Sequence, residues 1–98
     1  MTIDRLIREE ARLVILRAIG EQTNETLNSS ILEQVLAQYG IFKPRAWVHG
    51  EMSWLAEMGA ITSIDAGSVK VGRLTELGRR HLDRHTAIEG VKRPSREA

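Results

Sequence analysis

Two sets of residues in this chain could meet a nucleic acid, and a third could hold a metal. Arg45, His49 and Ser53 are spaced by four, with Lys43 just ahead of them. On a helix that spacing gives one side, and guanidinium, imidazole, hydroxyl and ammonium groups there suit phosphates and base edges. Lys70 and Arg73 lie in or beside a short β-rich run, where cations can reach a phosphate backbone. His81 and His85 are four apart, a spacing that lets two imidazoles share a divalent metal on one helical face. The metal reading lacks a third ligand. The chain has no cysteine, no further His or carboxylate stands at fixed spacing, and Asp83 falls on another helical face. The pair is read as a solvated helix face, and no metal or cofactor is expected. Trp47 and Trp54, seven apart, are read as core or dimer packing rather than as platforms for bases. No Gly-rich phosphate loop, Ser-His-Asp spacing or paired carboxylates with a pocket stands out, so the chain is not expected to be an enzyme and no catalytic residue is assigned.

Charge narrows the partners. Fourteen Lys and Arg against thirteen Asp and Glu leave a formal net charge of +1 over 98 residues, which excludes a strongly basic nucleic-acid wrapper. The charge is uneven along the chain. Residues 1–42 hold four basic and six acidic residues, net −2; residues 43–98 hold ten and seven, net +3. Without cysteine there is no disulfide or thiolate site. No apolar run approaches the roughly 20 residues that span a bilayer. The N-terminus shows no charged region leading into an apolar stretch. A cytoplasmic protein with no membrane association is expected.

Periodicity supplies the elements that would position these residues. Residues 4–22 carry Leu6, Ile7, Val14 and Ala18 at helical spacing, with Arg5, Arg8, Glu9, Arg12 and Arg17 on other faces. The polar run 23–30 reads as a connection, with Asn28, Ser29 or Ser30 capping a second helix and Ser30 with Glu33 fitting a capping box. Ile31, Leu32, Val35 and Leu36 form its apolar stripe, and Gly40 ends it. A turn of about four residues leads to Pro44, which suits the first turn of a third helix containing Trp47, Val48, Met52 and Leu55 and stopping at Gly59. Residues 60–65 and 68–73 are β-rich runs around Gly67, a hairpin in which Ile61, Ile64, Val69 and Val71 are expected to cover one side of the core. Thr75 caps a last helix that carries His81 and His85, and Gly90 marks a break. The chain divides into one domain over 1–89 and a basic tail over 90–98.

Helix, helix, tight turn, helix, hairpin, helix describes a winged helix-turn-helix, a mainly α fold with a small β-hairpin (α+β). The stretch Trp54-Leu55-Ala56-Glu57-Met58-Gly59-Ala60-Ile61 resembles the end of a winged-helix third helix. Arg73-Leu74-Thr75-Glu76-Leu77-Gly78-Arg79-Arg80 resembles the entry to the last helix of many bacterial winged-helix regulators. With Arg12-Leu13-Val14-Ile15-Leu16-Arg17, Asn28-Ser29-Ser30 and Gly90-Val91-Lys92-Arg93-Pro94, the chain resembles a family of small, ArsR-like winged-helix proteins of Mu-like phages and prophages. That resemblance implies a small regulator in the cytoplasm of a bacterial host. It would bind double-stranded DNA as a homodimer, with the third helix in the major groove. Lys43, Arg45, His49 and Ser53 would face the groove, and Lys70 and Arg73 the phosphates. A second reading keeps the scaffold without DNA contact, as an interaction or assembly module for a phage or host protein. The neutral third helix favours the second reading, and the basic hairpin and tail favour the first.

Overall fold

A computed structural model describes residues 2–96 of the protein. In chain order it holds α1 (Ile3–Gly20), β1 (Thr26–Asn28), α2 (Ser29–Gln38), α3 (Arg45–Glu57), β2 (Ile61–Ala66), β3 (Val69–Leu74) and α4 (Glu76–Leu82). The class is α+β, with four helices and one three-stranded antiparallel sheet of order β1-β3-β2 among the described residues.

The first helix is the spine. Its N-cap Thr2 accepts the Arg5 N–H, and Ala11, Leu13, Val14, Ile15, Leu16, Ala18 and Ile19 are all buried. A helix buried on so many sides needs neighbours all round. Leu32 and Leu36 of α2, Val48, Met52 and Leu55 of α3, and Ile61 of β2 close the core about it. The ends of α2 and α3 are built alike. Gly40 and Gly59 take positive φ of 81° and 84°. Their N–H groups donate to Ala37 and Ala56, and the next residues, Ile41 and Ala60, donate to Leu36 and Leu55. These are Schellman closures, which glycine makes without a Cβ penalty. Pro44 is the N-cap of α3 and offers no side-chain cap, whereas Thr75 accepts the Gly78 N–H and caps α4 as expected.

Four expectations change. The polar run 23–30 is not only a connection, because β1 pairs with β3 there (Thr26↔Arg73, Leu27↔Gly72, Asn28↔Val71). Three residues are too few to show alternation, so the third strand left no period in the sequence. The capping box does not form. Asn28 caps α2 by accepting the Ile31 N–H, and the Glu33 carboxylate binds Arg45 instead. The hairpin does not put its four apolar residues on one side. Side chains alternate along a strand, so Ile61 packs into the core while Ile64, three residues on and 68% exposed, stands on the outer face opposite Val71. Finally, α4 ends at Leu82, and Arg84 has a positive φ of 63°, so His85 lies beyond the helix.

The segment after α4 returns across the molecule. Ile88, Val91 and Pro94 are buried. Arg12 of α1 donates to the Gly90 carbonyl at 2.9 Å, and Lys92 donates through its backbone N–H to Glu9 and through Nζ to Glu10. Gly90 lies so close to the Trp54 ring that a Cβ there would sit 2.8 Å from it. His81, fully buried, fastens this strap. Its Nδ1 accepts the Ile88 N–H at 3.0 Å, which leaves Nε2 to donate to the Lys92 carbonyl at 3.0 Å. Residues 90–94, read from sequence as the start of a basic tail, therefore lie against the body of the fold. His81→Phe fills the same space but leaves the buried Ile88 N–H without an acceptor. It should cost about 1–3 kcal/mol in urea unfolding, and an unchanged midpoint would contradict this role.

Candidate nucleic-acid interface

Helix α3 turns Val48, Glu51, Met52 and Leu55 inward. Ala46, Gly50, Ser53 and Glu57 are left exposed, with Lys43, Arg45 and His49 half-buried along the flank towards α2 and the sheet. The expected row of Lys43, Arg45, His49 and Ser53 is thus on the outer part of α3, but its charged members are engaged. Arg45 Nε lies 2.5 Å from Glu33 Oε2 of α2. His49 Nε2 lies 2.7 Å from Ser29 Oγ, and the same oxygen accepts the Lys70 backbone N–H at 3.0 Å. This Ser-His contact ties α2, α3 and β3 together; the Ser29 hydroxyl has no solvent exposure and does not meet a substrate. Lys43 stands 5.4 Å from the centre of the Trp47 ring.

The hairpin divides its two cations between opposite faces. Lys70 and Arg73 are three residues apart, an odd number, so the pleat turns them to opposite sides. Lys70 shares a face with Gly72, whose own surface meets Met52 and Ile19 in the core. Arg73 is exposed on the other face, opposite Thr62 and Thr26. The six expected residues therefore do not line one surface: Arg73 is separated from the α3 row by the sheet itself. Lys70 in turn is held by Asp65, its cross-strand partner, with Nζ 2.8 Å from Oδ1. The Lys70 hydrogen bond and charge, helped by His49, lower the Asp65 pKa below the ordinary carboxylate value.

Pairing also dissolves the charge asymmetry seen along the sequence. Arg45 with Glu33, Arg79 with Glu25, and Lys92 with Glu10 each bring a cation of the basic second part to an acid of the first. Folding returns as local neutrality what the chain separates lengthwise. Sequence reading missed the two acids that matter here, Glu33 and Asp65. Asp65 was within reach, since a two-residue turn at Gly67-Ser68 sets it opposite Lys70.

The remaining candidates settle as packing. Trp47 and Trp54 are half-buried against the core, under Arg8 and Arg12 respectively. His81 is committed to the strap, and no cluster of three or more His, Cys, Asp or Glu that could hold a metal occurs among the described residues. No described helix is long and apolar enough to cross a membrane.

A depressed carboxyl pKa means that the Asp65–Lys70 pair contributes above the ordinary carboxylate range and is lost as pH falls through the Asp65 value in the folded state. Lys70→Ala should raise the Asp65 midpoint towards the ordinary value in a side-chain NMR titration. An unmoved midpoint would mean that Lys70 is not its partner in solution.

Over 92 residues the chain is 37% identical to gp26 of Escherichia phage Mu, an uncharacterized protein, covering 94% of this chain and 95% of that one. It is also 37% identical over 62 residues to an uncharacterized protein of Haemophilus influenzae, covering 63% of this chain and 60% of that one. No family model and no solved structure matches it. Identity at this level across nearly the whole of both chains makes this protein a member of the bacteriophage family that includes Mu gp26.

Proposed function

We propose that the chain is a winged helix-turn-helix scaffold serving as a protein-interaction module of the phage, in the cytoplasm of its host, rather than as a reader of bases. The order helix, strand, two helices, then a β2–β3 hairpin on the same sheet supports the scaffold, with α2 and α3 as the helix-turn-helix pair and the hairpin as the wing. One observation carries the choice between the functions. Of the three cations that the scaffold would turn to phosphates beside α3, Arg45 and Lys70 each have a carboxylate within 2.8 Å, and Lys43 stands over the Trp47 ring. A phosphate arriving there finds two of the three cations already paired, and counterion release, which supplies a large share of the affinity for duplex DNA, has little to draw on.

Exposed ion pairs are individually weak, and a polyanion competes for their cations. The choice is therefore a matter for a binding titration. Fluorescence anisotropy with random duplex DNA at low salt should show no saturable binding by the natural chain. The double variant Glu33→Gln/Asp65→Asn, which unmasks Arg45 and Lys70, should gain salt-sensitive binding. Binding by the natural chain with a steep salt slope, flattened by Arg45→Ala/Lys70→Ala, would overturn the module reading in favour of a DNA-binding regulator.

A further inference from the structure

Four of the five most exposed large apolar side chains among the described residues lie on two segments, the start of α1 and the connection from α2 to α3. Ile3 and Leu6, on the first two turns of α1, are 74% and 49% exposed; Tyr39 and Phe42, on the connection from α2 to α3, are 50% and 78% exposed. Leu6, Ile7 and Glu10 face Tyr39, Gly40 and Ile41 across a groove of about 380 Å³. Phe42, the most exposed of the four, directly follows the groove residue Ile41. A ring standing free beside a groove is a knob next to a hole.

We propose that this patch is a two-fold interface with a second copy of the chain, in which Phe42 of each copy seats in the groove of the other. Three observations support a second copy as the occupant. The first is geometric: a two-fold interface brings one patch against itself, so it must contain both halves of each contact, and knob and groove here are neighbours in one patch. The second is charge. Glu10 lines the groove, where its carboxylate also meets Lys92 at 3.1 Å, and Lys43 directly follows the knob. Lys43 meets the Trp47 ring but no carboxylate among the described residues. Seating Phe42 in the facing groove carries Lys43 towards the Glu10 of that copy, and the two-fold axis makes the contact twice. The third is area. The four side chains expose on the order of 500 Å² together, near the upper end for one patch on a monomer. With Ile7, Gly40, Ile41, Glu10 and Lys43 around them, the patch approaches the roughly 800 Å² per partner of an ordinary specific interface. That size suits a reversible dimer of two folded chains. The inference does not depend on whether α3 meets DNA.

Sedimentation velocity of the full chain over a wide concentration range tests it. The natural chain should move from its 11.0 kDa monomer towards twice that mass as concentration rises. Phe42→Ser should stay monomeric with an unchanged circular dichroism spectrum. Ile64→Ser, which removes an equally exposed side chain from the outer face of the sheet, should dimerise like the natural chain. Lys43→Glu should weaken the dimer at least several-fold, and Lys92→Ala, which removes only the partner of Glu10 within the chain, should not. A natural chain that is monomeric at every concentration overturns the proposal and leaves the patch to another protein. So does a dimer that survives Phe42→Ser or one that Ile64→Ser abolishes.

Discussion

A carboxylate taken out of water must be paired, and Glu51 of α3 is such a group. Its oxygens lie 2.5 Å from Arg8 and 2.7 Å from Arg12, both on α1 and one helical turn apart. Arg12 is itself largely covered, its guanidinium 3.8 Å from the centre of the Trp54 ring and its second nitrogen bonded to the Gly90 carbonyl. Arg8 stands 5.5 Å from the centre of the Trp47 ring. Two arginines, one glutamate and two tryptophans thus join three parts of the chain far apart in sequence: the spine helix, α3 and the terminal strap. With the core thin for a chain of this size, such a knot also specifies. It sets the rotation of α3 about its axis, and that rotation decides which of its side chains face out.

That rotation shapes the functional reading. With Glu51, Val48, Met52 and Leu55 turned in, Arg45 and His49 come to the flank of α3, where Glu33 and Ser29 meet them. Of the two acids of α3, Glu51 is drawn inside and Glu57 stays exposed. Arg45 and Lys70 are balanced by acids from other elements, Glu33 from α2 and Asp65 from β2. Matched charges around Arg45 and Lys70, and an exposed apolar patch elsewhere, are the features on which the proposed interaction module rests. Membership of the Mu gp26 family agrees with a bacteriophage role and leaves the choice of partner to chemistry.

Much of the architecture was legible where one local rule acts alone. Gly40 and Gly59 mark the ends of α2 and α3, Thr75 marks the start of α4, and the alternation of Val69 and Val71 marks a strand. What escaped needed a partner that the sequence does not name. β1 exists because β3 offers it an edge. The capping box failed because α2 starts at Ser29, which puts Ser30 inside the helix, and Glu33 binds Arg45. The strap buries Ile88, Val91 and Pro94, three apart but outside any helix or strand, so only its contacts reveal it. The site was half legible. The helical spacing of Arg45, His49 and Ser53 was legible, but the opposition of Lys70 and Arg73 follows from simple strand parity that reading them together as one wing passed over.

The central claim is that Arg12 couples the spine, α3 and the strap into one cooperative unit. Native-state hydrogen exchange on Arg12→Met, which keeps an apolar stem but neither the charge nor the hydrogen bonds, tests it. The amide of Lys92, bonded to Glu9, and that of Val91, bonded to Ile88, report on the strap. The account predicts that their protection falls together with that of α3. Strap protection unchanged from the natural protein would contradict it.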